Sequence, residues 1–190
     1  MSFENRTALA LVVVDVQMGL FCSSRPPFEA GAVLTRINAA TAQARAAAVP
    51  VIFIQHDGPA DGDWLVPLTV DWQLHPDLQI EPSDLVIRKT AGDAFYATTL
   101  ERELRSRKVQ TIVLLGYATD FCIDATVRNA ASKDFEVIVV ADAHTADNSP
   151  MLEAQQIREY FNWLWANSPS RMGIHVVPSG QLDFSPQPRP

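Results

Sequence analysis

The 190-residue sequence predicts an α/β protein: a three-layer, doubly wound, six-stranded parallel sheet with helices on both faces. Three observations predict it. Six short, largely apolar runs recur along the chain, segments of helical spacing separate them, and reactive polar residues fall repeatedly at the carboxyl ends of the runs. Strands buried on both faces read as nearly continuous apolar runs, and strands alternating with helices make a parallel sheet covered on each side.

The length suits a single domain, residues 1–180, followed by a proline-rich tail at 181–190. A formal net charge of -7 gives no electrostatic footprint for nucleic acid, and the longest basic cluster, Arg102 to Lys108, is interrupted by Glu103. No apolar run reaches the roughly eighteen residues that a membrane helix requires. Two cysteines, Cys22 and Cys122, and a polar opening segment, Met1 to Arg6, predict a cytoplasmic protein with free thiols.

Taken in order, the first strand is Thr7 to Val14, and Asp15 stands at its end. That carboxylate either caps the following turn or faces the carboxyl edge of the sheet, where open α/β proteins bind ligands. Val16 to Cys22 form a loop whose apolar side chains, Phe21 among them, can line a pocket. After the break at Pro26-Pro27, Val33, Ile37, Ala40, Ala44 and Ala47 recur at helical spacing within a helix over Gly31 to Ala48. Pro50 opens the second strand, Val51 to His56.

Residues 57–82 show no periodicity and carry Trp64 and Trp72, the pattern of a lid or binding loop that supplies aromatic side chains to a pocket. His56, Asp57, Asp61, Asp63, Asp71 and His75 lie close together in sequence, yet their spacing matches no helical zinc motif, and no metal is assigned. The third strand is Asp84 to Arg88, followed by Lys89. A turn at Thr90 to Phe95 leads to a helix over Thr98 to Lys108.

The fourth strand, Thr111 to Leu115, ends at Gly116, with a polar and aromatic turn from Tyr117 to Phe121. A helix of about three turns starts at Cys122, and the fifth strand is Val137 to Ala141. A polar loop, Asp142 to Asp147, precedes a helix starting at Ser149-Pro150. Its stripe of Ile157, Tyr160, Phe161, Leu164 and Trp165 suits core packing or a subunit interface and predicts a homo-oligomer, a dimer or tetramer. Met172 to Val177 is the sixth strand.

In strand order 3-2-1-4-5-6 the first and fourth strands are neighbours at the switch point. Asp15 and Cys122 then meet there, and Lys89 arrives over the same rim. Without a Gly-x-Gly-x-x-Gly after the first strand, and without a phosphate loop, dinucleotide and nucleotide readings lose their main support, and no cofactor is assigned. A helix tip and a nearby ammonium both favour a thiolate, which predicts a Cys122 pKa below the ordinary value of about 8.5. By themselves these residues leave two readings of Cys122 open: a buried structural thiol or a nucleophile.

The segments Leu11 to Phe21, Val86 to Phe95 and Val113 to Thr145 resemble the cysteine hydrolases of the isochorismatase-like superfamily, which includes nicotinamidases and carbamoylsarcosine amidases. The resemblance implies an enzyme that cleaves an amide or carbamoyl C–N bond of a small molecule through a thioester. Asp15, Lys89 and Cys122 are the implied catalytic residues. It further implies a cis peptide between Tyr117 and Ala118 and an oxyanion hole from Ala118 and Cys122. Independently of the resemblance, the loop and lid aromatics and the strand end make Phe21, His56, Trp64, Trp72, Tyr117 and Phe121 the candidate substrate-pocket residues. The chain departs from nicotinamidases in reading Ile54-Gln55-His56 where they carry Asp-x-His, which argues against zinc, and from the usual Ser-Ala-Phe in reading Asp93-Ala94-Phe95. The alternatives are vinyl-ether hydrolysis, with Asp15 moving the proton, and a non-catalytic binding protein on the same scaffold.

Overall fold

The computed structural model describes residues 8–184. Thr7, the segment Met1 to Arg6 and the tail prolines Pro186, Pro188 and Pro190 lie outside the described residues. The strands are β1 (Ala8–Val14), β2 (Val51–His56), β3 (Leu85–Lys89), β4 (Val109–Tyr117), β5 (Glu136–Thr145) and β6 (Ile174–Val177). They form one parallel sheet in the order β3-β2-β1-β4-β5-β6, as the alternation of elements predicts.

Alternate side chains of β1 separate the two faces. Ala10, Val12 and Val14 pack with α3 (Leu100–Ser106), α4 (Asp124–Ser132) and Trp165 of α5 (Ala154–Ala166). Leu9, Leu11 and Val13 pack with Val33, Ile37, Ala40 and Ala44 of α2 (Ala30–Ala46). Leu182 and Phe184, assigned to the tail from sequence, pack on this second core. No helix among the described residues is long and apolar enough to cross a membrane.

Several boundaries differ from expectation. A short helix, α1 (Met18–Phe21), replaces part of the expected loop after Asp15. β5 runs through Asp142, Ala143 and His144 to Thr145, where a polar loop was expected. Those polar side chains have partners: Asp142 accepts from the Ser179 N–H and pairs with Arg36, and His144 is hydrogen-bonded on both ring nitrogens. The last helix starts at Ala154, not at Ser149-Pro150. A capping box between Glu153 and Gln156 closes its first turn, whereas the Ser149 hydroxyl holds a separate turn by accepting from the Met151 and Leu152 N–H groups. Cys122 lies inside a π-helical turn, Thr119–Ile123, and the α-helix begins only at Asp124.

Candidate active site

Three strand ends converge at the switch point. Val14 pairs with Gly116 across β1 and β4, so Asp15 sits beside the turn that leaves β4. Asp15 has φ 52°, a left-handed conformation that Asp tolerates better than most residues, and its N–H donates to the Ile54 carbonyl at 3.0 Å. Lys89 pairs with His56 across β3 and β2. Its side chain is fully buried, and the ammonium meets Asp15 Oδ2 at 2.6 Å, the Ala91 carbonyl at 2.9 Å, His56 Nδ1 at 3.1 Å and Cys122 Sγ at 3.4 Å. Four acceptors surround three hydrogens, so the longest contact, to sulfur, is a shared one. Asp15 Oδ1 is buried with no hydrogen-bond partner of ordinary geometry among the described residues. The Tyr117–Ala118 peptide bond is cis, and the Ala118 N–H donates to no other group among the described residues.

Burial dominates the protonation of this cluster. It pushes the Cys122 thiol up to about 12, the Asp15 carboxylate adds to the rise, and the Lys89 ammonium works against it. Burial likewise raises the Asp15 carboxyl above its ordinary range against the pull of Lys89. The expectation of an acidified thiol is therefore overturned. A helix end contributes roughly 0.3 to 1 kcal/mol, too little to offset the desolvation of a thiolate beside a second anion. The resting thiol keeps its proton, and a buried carboxyl of raised pKa lies next to it.

His56 is held at a pKa of about 4, first by burial and then by the Lys89 charge. A neutral imidazole facing an ammonium accepts at Nδ1, which puts the ring proton on Nε2. Trp64 packs on this ring at 5.1 Å between centroids while remaining 47% exposed, as befits a side chain at a rim. Phe21 meets Tyr117 edge-on at 5.9 Å, and Phe121, next to the cysteine, is 70% exposed. Trp72 is the expected pocket residue that is committed elsewhere: its Nε1–H donates to Asp57 at 2.7 Å, and Arg88 lies over its ring. Asp57 is also paired with Arg88, and no group of three or more His, Cys, Asp or Glu side chains among the described residues is placed to hold a metal ion.

The Asp93 carboxylate accepts from the Phe95 N–H and from Asn129 of α4, which holds it between its own turn and that helix. Cys22 is exposed, and neither cysteine is in a disulfide. Gln17 is a fully buried residue that the sequence does not single out. Its amide donates to the His56 and Trp72 carbonyls and accepts from the His56 N–H, tying the end of β1 to the end of β2 and to the long loop. A polar residue two places after a strand-end aspartate was the available signal.

Comparison with known proteins places the chain in a family and a fold. A model of the isochorismatase domain matches residues 9–166. A streptothricin hydrolase of Streptomyces noursei is 35% identical over 141 residues, covering 74% of this chain and 51% of that protein, so the match spans about half the length of that relative. The ureidoacrylate amidohydrolase RutB of Pseudomonas savastanoi pv. phaseolicola is 30% identical over 193 residues, covering 82% of this chain and 79% of that protein. A solved isochorismatase family protein superposes with a TM-score of 0.81 at 30% identity, over 89% of this chain and 97% of that one. N-carbamoylsarcosine amidase from Thermoplasma acidophilum shares the fold, with a TM-score of 0.77 at 24% identity over 93% of this chain and 99% of that one.

Proposed function

The chain belongs to the isochorismatase family, and from that premise we propose that it is a cysteine hydrolase cleaving an amide or carbamoyl C–N bond of a small molecule through a thioester on Cys122. The observation that carries this reading is the buried Lys89 ammonium, 2.6 Å from Asp15 Oδ2 and 3.4 Å from Cys122 Sγ. The similarity to a streptothricin hydrolase and a ureidoacrylate amidohydrolase supports the bond type.

In this mechanism the thiol proton passes to Asp15 as sulfur attacks the carbonyl carbon, so a free thiolate never accumulates. The oxygen takes up the electron pair and is met by the Ala118 and Cys122 N–H groups, while Lys89 compensates the negative charge. Collapse to the thioester breaks the C–N bond, and Asp15 returns the proton to the leaving nitrogen. Water, deprotonated by Asp15, then releases the acid and restores the thiol. A raised carboxyl pKa suits a group that must both take and return a proton.

Ammonia release from a panel of small amides, ureido and carbamoyl compounds identifies the substrate class. Cys122→Ala and Asp15→Asn are expected to fold and to lose at least about a thousandfold in kcat. Full activity in either variant sinks the assignment. We also propose that the protein is a homo-oligomer joined partly through α5, where Ile157 and Trp165 are buried but Tyr160 and Trp163 are exposed. Light scattering is expected to give a dimer or tetramer mass, and Trp163→Glu a smaller species; a wild-type monomer at micromolar concentration refutes it.

A further inference from the structure

His144 is fully buried, and no step above uses it. Its ring bridges two elements: Nε2 meets Asn162 Oδ1 of α5 at 2.9 Å, and Nδ1 meets the Thr119 hydroxyl at 2.8 Å. The proton positions follow from the neighbours. Asn162 Nδ2 donates to the Ala141 carbonyl at 2.9 Å, which fixes the amide so that its oxygen accepts from the ring. The single proton of a neutral imidazole is then on Nε2, and Nδ1 accepts from Thr119. Burial favours this neutral form.

Two irregular segments meet at that second bond. β5 leaves its register with β4 after Leu114↔Val139 and regains it at Gly116↔His144, so residues 140–143 lie opposite Leu115 alone. That bulge delivers His144 to the end of β4, and Thr119 is the first residue of the π turn carrying Cys122. Bulges and π turns recur where a chain must re-aim a functional group. The Thr119 hydroxyl differs from those that bond back within their own helix or turn. Thr35, Thr98 and Thr126 each bond the carbonyl four residues back, whereas Thr119 reaches across to the neighbouring strand.

We propose that His144 is a positioning residue for the catalytic turn: by accepting the Thr119 hydroxyl it fixes the direction in which the Ala118 and Cys122 N–H groups meet the reacting oxygen. The inference rests on Cys122 being the nucleophile, and its test separates the two. Acetaldehyde adds the thiol across its carbonyl. The S–C bond forms, the thiol proton ends on oxygen, and that oxygen occupies the place of the oxyanion. Iodoacetamide alkylates the same sulfur by displacing iodide, with no oxyanion. Acetaldehyde protection of Cys122 against iodoacetamide, read by mass spectrometry, therefore reports the N–H groups, and the unprotected alkylation rate reports the sulfur.

Thr119→Val, nearly isosteric, is expected to weaken protection about tenfold while changing the unprotected rate less than about twofold. His144→Gln, which keeps a donor toward Asn162 but moves the acceptor, should behave like Thr119→Val. His144→Asn, whose Oδ1 falls near the Nδ1 position, should retain protection. Undiminished protection in Thr119→Val, or equal losses in the Asn and Gln variants, overturns the proposal while leaving the nucleophile assignment intact. No protection in the wild type overturns both.

Discussion

Burial and the Asp15 carboxylate make the ionisation of Cys122 harder, whereas a hydrogen bond from the thiol eases that of Asp15, and Lys89 is the counter-charge they share. Replacing Asp15 by Asn removes one anion, so the ammonium takes the thiolate as its partner. The thiol pKa must then fall, although turnover is lost for want of a proton acceptor. At pH 8, Asp15→Asn is expected to raise the iodoacetamide rate at Cys122 by about tenfold or more, the thiolate gain from one pKa unit. A slower rate would mean that Asp15 acts on the sulfur mainly as a proton sink, not as a charge. Asp15, His56 and Lys89 were legible in the sequence because each follows or closes an apolar run. The direction of the thiol shift was not, because a helix tip can be read from sequence whereas the burial of a side chain by distant strands cannot.

At the scale of elements, the site depends on how closely β1 and β4 approach. Gly116 has φ +124°, and a Cβ there would lie 2.2 Å from the Val14 carbonyl oxygen, directly before Asp15. Gly116→Ala therefore combines backbone strain with a clash against an atom that cannot move without breaking the ladder. A loss of about 3 kcal/mol or more is expected in urea unfolding. Because Asp15 moves with Val14, kcat should fall further than the loss of folded protein explains. An unaltered unfolding midpoint contradicts this account of the contact. The sequence marks Gly116 as the end of a strand, yet β4 continues through it to Tyr117, since a glycine that breaks an apolar pattern can still pair in the sheet. The extension of β5 through His144 escaped for a related reason: its polar side chains are satisfied by Arg36, Ser179, Thr119 and Asn162, all distant in sequence.

For the whole molecule, the strand order was legible because six apolar runs separated by helical segments admit few parallel arrangements, and the switch point then brings Asp15 to Cys122. A global property escapes any such pattern: how protonation divides between folded and unfolded chains. His144 and His56 are both held at about pKa 4 in the folded protein, against an ordinary 6.5. Between those values the unfolded chain binds more protons, so these groups contribute stability above pH 6.5 that is lost as the pH falls toward 4. Asp15 acts in the opposite sense: its raised pKa lets the folded state take up a proton before the unfolded one, which favours folding as the pH falls toward its ordinary 3.8. The two contributions separate by difference. For the fully buried His144, a shift of that size corresponds to about 3 kcal/mol. The unfolding free energies of wild type and His144→Asn, measured in urea from pH 7.5 to 4, should converge by about that amount on acidification, because Asn has no proton to gain. Parallel profiles across the whole range would mean that the imidazole titrates near its ordinary value in the folded protein, and its hydrogen bond from Thr119 would then break near pH 6.5.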